Sequence, residues 1–266
     1  MSPLHHADLN NDRINSTVRA RPVFNISKMS LTEMTSCGAR LRQLGKGAGS
    51  MEEVARRITR FLFEEIQDDY GNPAPVLVRL YKTHRLGALP ADLQRLALEM
   101  LDGSADPKSV QCLTLLATAG VEEAWNSRHR SVNHRVIPLP SEKAVEQFPM
   151  VAQLVRQLGL EVSSVVEPNP EVIVDLMQKT FNIFYVSEAP DSPYIPAQGD
   201  FVLPYEVKSA LGFGGLIPSG DLFAVIFFSR VPISPETADL FKPLALSAKL
   251  ALIQAANVSI FDAAPA

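Results

Sequence analysis

The stretch from Val207 to Phe241 constrains the fold more than any other part of the chain. Two apolar runs, 207–217 and 222–229, flank the polar turn Pro218-Ser219-Gly220-Asp221. Each run is of strand length, and a four-residue turn between them predicts a β-hairpin. Past the second run, Ser234 and Pro235 place a hydroxyl at a helix N-cap and proline at the first helical position. The helix is expected to run from Pro235 to about Ala256, with Leu240, Leu244, Ala248, Ala251 and Leu252 on one apolar stripe. An antiparallel hairpin that feeds a terminal helix argues for α+β architecture rather than a doubly wound parallel sheet.

The rest of the chain fits that class. Residues 1–28 are polar and without period, so a flexible tail is expected. Residues 29–49 hold a short helix over Ser30–Leu44 and a glycine-rich hinge, Gly45 to Gly49. Ser50 with Glu53 reads as a capping box opening a helix from Met51 to about Gln67. The main domain is expected over 50–256, with 257–266 a C-terminal tail. Its sheet has about six strands: 75–81, 111–118, 181–186, 201–204, 207–217 and 222–229. Helices are expected at 91–101, from Ser141, over 148–158 and over 170–178. The glycines of Gly212-Phe213-Gly214-Gly215 precede a strand, not a helix, so they suit a bend or bulge better than a phosphate loop.

Composition excludes several classes of function. The chain has 266 residues with a net charge of −4, which argues against sequence-independent nucleic-acid binding. Cys37 and Cys112 make neither a disulfide framework nor a zinc pattern, which fits a reducing cytoplasm. No apolar run reaches the roughly 20 residues that span a bilayer, and the first residues lack the apolar core of a signal peptide. No carboxylate pair, triad or metal cluster can be assigned, so no enzymatic role is expected.

Several segments together resemble the GAF domain, the small-molecule sensor module of bacterial signalling proteins. They are Leu77-Val-Arg-Leu-Tyr-Lys-Thr-His84, Leu113-Thr-Leu-Leu-Ala-Thr-Ala-Gly120, Trp125-Asn-Ser-Arg128 with His134-Arg-Val-Ile-Pro-Leu-Pro140, Ser192-Pro-Tyr-Ile-Pro-Ala-Gln198, and Lys208-Ser-Ala-Leu-Gly-Phe-Gly-Gly215 with the helix beyond. The likeness covers about 50–256 and is nearest to the variant found as the N-terminal input region of sensor kinases. It implies an antiparallel sheet with helices from both termini on one face and a helical insertion over a ligand pocket. It also implies helical homodimerisation and a downstream signalling partner. The chain departs from bilin-binding relatives, which carry a pocket cysteine, and from cyclic-nucleotide-binding relatives, whose Asn-Lys-X-Asp-Glu pattern is absent. Methionine-sulfoxide-reducing relatives need several pocket cysteines, which are also missing. No kinase, cyclase or DNA-binding output region is legible after the last helix.

The densest chemistry lies in Trp125–Arg135, which holds Trp125, Asn126, Arg128, Arg130, His134 and Arg135. Three arginines, two histidines and a tryptophan suit an anion pocket with an aromatic wall. A solvated basic loop, or one that ion-pairs with a partner, is the competing reading. His84 is expected to follow a strand and to reach the same cavity, where an imidazole suits a carboxylate, a metal or haem iron; a surface or locally bonded histidine is the alternative. Tyr205 is a candidate for the cavity lining. The expectation is a non-enzymatic cytoplasmic sensor domain that binds a small ligand between sheet and insertion. A ligand-free dimerisation or docking module is the first alternative, and a haem-based gas or redox sensor the second.

Overall fold

The computed structural model describes residues 23–101, 103, 106–169 and 182–262. Strand β1 (Phe24–Asn25) is followed by α1 (Leu31–Gln43), α2 (Met51–Glu65) and β2 (Ile66–Gln67). Then come β3 (Pro75–Arg85), α3 (Ala91–Met100), β4 (Gln111–Gly120), β5 (Val136–Leu139), α4 (Glu142–Glu146), α5 (Pro149–Gln157) and α6 (Val162–Val166). The chain closes with β6 (Ile183–Val186), β7 (Ser209–Leu216), β8 (Leu222–Ser229), α7 (Pro235–Asp239) and α8 (Leu244–Ile253). The expected helix over 170–178 lies outside the described residues.

The six strands of the main sheet run in the order β5-β4-β3-β8-β7-β6, every neighbour antiparallel. The α+β architecture with a six-stranded antiparallel sheet therefore holds. Because β5 and β6 occupy opposite edges, the segment between them must cross the whole sheet. Its described part holds α4, α5 and α6, which cover one face. Helices α1, α2 and α8 pack on the other face, over Val78, Leu80, Phe213, Phe223, Val225 and Phe227. Side chains of opposite parity, among them Leu77, Tyr81, Ile226 and Phe228, face the inserted helices. That alternation of period two divides the core into two layers. The exposed edge of β6 is blunted by Gln157, whose side chain accepts from Tyr185 N at 2.8 Å and donates to its carbonyl at 3.4 Å.

Local chemistry explains the ends of the elements. Ser30 and Glu33 form a complete capping box on α1. At α2 only half of the expected box forms. Ser50 accepts from Glu53 N, while the Glu53 carboxylate takes Gly49 N at 2.8 Å and Arg57 at 2.6 Å instead of closing on Ser50. The hairpin closes as expected, with Ile217 N donating to Asp221 O at 3.0 Å.

Several elements differ from what the sequence predicts. Strand β3 continues through Lys82-Thr83-His84-Arg85, which had been expected to leave the sheet. Residues 201–204 form no strand; Gln198–Val202 coil into a π-turn. The missing sheet member is Val136–Leu139, an edge strand that tolerates Pro138 because its outer side has no ladder to donate to. The last helix is two helices, since Pro243 has no N–H to continue α7 and starts α8 instead. The glycines of β7 make no bulge: the ladder to β8 is regular. A Cβ at Gly214 would stand 2.2 Å from the Phe223 carbonyl oxygen, so close backbone approach is what requires glycine there. Finally, Phe24 and Ile26, expected within a flexible tail, are buried in the core. Ser259 and Ile260, expected in the other tail, accept from Met51 N and Glu52 N at 2.9 and 2.8 Å.

Candidate functional site

A cavity of about 420 Å³ lies between the sheet and the inserted helices. Its floor is built by Leu77, Arg79 and Tyr81 of β3 with Leu113, Ile137, Ile226 and Phe228 of neighbouring strands. Phe148, Val151 and Leu154 of the α5 region form the roof. Trp125, Arg130, Asn133 and His134 close one side, and Ile195, Asp200 and Phe201 the other. The walls are mostly apolar with a few polar groups converging on them, the usual make-up of a small-molecule site.

The 121–135 segment can serve this cavity because β5 is short. It pairs only with Gln111–Thr114, so the rest of β4 has a bare edge along which the segment runs. Trp125 packs closely on Gly120, where a Cβ would stand 2.9 Å from the indole. Phe201 and Tyr205 flank the indole at 5.7 and 4.7 Å between ring centres. His134 adopts a left-handed backbone with φ of 59°, a conformation that costs a non-glycine residue free energy and is concentrated at functional sites. Partial withdrawal from water, and after it the charge of Arg79, hold the His134 imidazole below its ordinary value, favouring the neutral ring at pH 7.

Of the residues singled out in the sequence, Trp125, Arg130 and His134 line this cavity. The other five do not. Asn126 closes its own turn, donating to Gly120 O at 2.9 Å and accepting from Gly120 N at 3.2 Å. Tyr205 supports Trp125 from behind. Arg135 turns toward α3 and pairs with Asp92 at 2.6 Å. Burial would raise the Asp92 carboxyl, but the Arg135 hydrogen bond and charge outweigh it and hold that group below the usual range. Arg128 goes furthest astray from the cavity. It is buried on the opposite face, 2.7 Å from Glu52 in the first turn of α2, with its guanidinium 4.9 Å from the Phe261 ring centre.

His84 also belongs to the opposite face, with Val78 and Leu80. It packs at 5.6 Å against Phe261 and lines a smaller recess with Lys82 and Asp221, which pair at 2.7 Å. Burial, and then the Lys82 charge, push its imidazole down to about 3. His84 therefore cannot serve a ligand in the larger cavity, because its ring stands across the sheet from it. Burial raises both thiols, Cys37 and Cys112, to about 12, which leaves them unreactive. Among the described residues no cluster of three or more His, Cys, Asp or Glu is placed to hold a metal. No helix among them is long and apolar enough to cross a membrane.

The residues the sequence reading missed are those of the floor, above all Arg79. Its signal was present in Leu77-Val-Arg-Leu-Tyr81, a cation in the middle of an apolar strand that shares parity with Leu77 and Tyr81.

No family model matches this chain. No curated protein matches it either. Among solved structures it is similar to the GAF domain of a phosphoenolpyruvate-protein phosphotransferase (ptsP) from Coxiella burnetii, at 12% identity over 84% of this chain and 92% of that one, with a TM-score of 0.40. The antiparallel sheet with its flanking helices is consistent with a GAF-like fold. A likeness this distant carries no argument about this chain.

Proposed function

We propose that the chain is a non-enzymatic regulatory domain in bacterial cytoplasmic signal transduction, which senses a small molecule held in the cavity beneath α5. One observation carries the reading. The segment that walls the cavity with Trp125, Arg130 and His134 also sends Arg128 across the sheet edge into a buried contact with Glu52. Glu52 in turn accepts from Asp262 N at 3.0 Å, and Asp262 pairs with Arg56 at 2.7 Å and bonds Ser50. A ligand that shifts this segment therefore biases the junction of α2 with residues 259–262. It can do so only to the extent that it binds one arrangement better than the other.

Native mass spectrometry of the chain purified from its own host tests the proposal. The expected result is a retained small-molecule adduct that Val151→Trp, which fills the cavity from its roof, removes. An adduct that survives in this variant would sink the reading.

A homodimer is the proposed assembly. Its support is α8, which buries Leu244, Ala248 and Leu252 yet leaves Leu246 and Leu250 43% and 40% exposed on the outward side. Changing both to glutamate is expected to convert dimer to monomer in sedimentation velocity without loss of helical signal. An unchanged sedimentation coefficient would place any interface elsewhere. The docking-module alternative has less in its favour, because Arg128 and Arg135, two of its three contact arginines, are committed to internal ion pairs.

A further inference from the structure

We infer that the cavity takes a small organic monoanion, a carboxylate carried on an apolar body, and that Arg79 receives the carboxylate. The inference rests on the reading of this cavity as a ligand site and names the chemistry of its occupant.

Arg79 differs from the arginines around it. Arg128 faces Glu52, Arg130 faces Glu123 and Arg135 faces Asp92, each at 2.7 Å or less. Arg79 takes part in none of the ion pairs among the described residues. It sits at the centre of the sheet, opposite Thr118 on one side and Ile226 on the other, so neither cross-strand neighbour can neutralise it. Its Nη1 donates to the Tyr81 hydroxyl at 3.2 Å and its Nη2 to the Ser131 hydroxyl at 3.1 Å, both neutral acceptors. Its Nε is buried without a partner, and so is the hydroxyl of Thr118 directly across the ladder.

A cation on an apolar floor with an unused N–H is costly unless something anionic meets it. Protein groups hold that arginine still, and the guanidinium edge matches the two oxygens of a carboxylate. The remaining walls, Leu113, Ile137, Phe148, Leu154 and Phe228, ask for an apolar body. A dianionic phosphate fits less well. Among the described residues, half-buried Arg79 is the one unpaired positive charge on this lining, neutral His134 adds none, Arg130 is exposed and paired with Glu123, and the exposed Asp200 repels.

Isothermal titration of the full chain with 3-phenylpropanoate, 4-methylpentanoate and octanoate, each beside its primary amide, tests this, with phenyl phosphate as a further arm. The acids are expected to bind at least tenfold tighter than their amides. Arg79→Gln should erase that preference while still binding the amides, and Arg79→Lys should keep part of it. Acids and amides of equal affinity for the unaltered chain would overturn the anion inference and leave the cavity as a site for neutral ligands. Tighter binding of phenyl phosphate would overturn the carboxylate assignment. Failure of every probe would remove both the inference and the reading beneath it. If Arg79→Gln does not fold, the acid–amide comparison on the unaltered chain decides the matter alone.

Discussion

Glu52→Gln is expected to lower the stability of the fold by about 3 to 5 kcal/mol, read as a shift of the urea midpoint. The magnitude follows from what the change leaves behind. The side chains of Arg128 and Glu52 are only 6% and 7% exposed, so glutamine would strand a desolvated guanidinium beside Phe261. Arg128 Nε and Nη1 lack a well-aimed acceptor even though the charges lie 2.7 Å apart. The contact is therefore a charge pairing with imperfect hydrogen bonding, the kind of buried pair that an apolar replacement can match. Glu52→Gln combined with Arg128→Met should accordingly recover most of the loss, a coupling that a double-mutant cycle reads directly. Hydrogen exchange adds the functional half of the test. In the single variant the amides of Met51, Glu52 and Asp262 should lose protection first, because their partners meet at this junction. A loss below about 1 kcal/mol, with those amides unchanged, would disconnect the cavity wall from the junction of α2 with residues 259–262 and remove the relay from the proposal.

Why that relay was hidden in the sequence is a matter of irregular backbone and of partners distant along the chain. The basic run Trp125–Arg135 looked like one surface, yet it is a 3-10 turn followed by irregular backbone, whose side chains leave in several directions with no period. Arg130 and His134 remain with the cavity, while Arg128 and Arg135 leave it for carboxylates on α2 and α3. Those acids are 76 and 43 residues away in sequence, as the numbers of Arg128 and Glu52, and of Arg135 and Asp92, give by subtraction. Local pattern carries no trace of such pairings.

The hairpin and the Ser234 and Ser50 caps, by contrast, were legible because their determinants are local: a polar turn, a hydroxyl, a proline at the first helical position. Strand β5 was not, since four residues with a central proline fall below any periodic signal. The count of six strands came out right only because Phe201–Pro204 was credited in its place. There Phe201, which lines the cavity, and Val202, buried in the core layer, imitate a short strand. The floor was half legible. Leu77, Arg79 and Tyr81 follow from alternation once the strand is accepted, and the same alternation carried one step further puts His84 on the far side.

That placement of His84 makes its acid response the second large effect. The ring is 3% exposed, neither nitrogen has a well-formed hydrogen bond, and it shares its surroundings with the charged pair Lys82 and Asp221. Burial first, then Lys82, hold its folded-state value at about 3 against an ordinary 6.5. For a base whose folded value is depressed, the unfolded chain binds the proton first. The stability tied to the neutral ring is thus complete above pH 6.5 and drains as pH falls toward 3. Linkage puts the loss from this one ring at about 2 kcal/mol by pH 5 and about 3 by pH 4. His84→Phe keeps an aromatic ring against Phe261 and removes the titration. Its stability should fall less steeply than that of the unaltered chain between pH 7 and pH 4, the two curves converging by that same amount, when both are measured by urea unfolding at fixed ionic strength. Parallel curves would mean that water or an acceptor reaches the imidazole, and a ring so reached would again be open to a ligand in the recess it shares with Lys82 and Asp221.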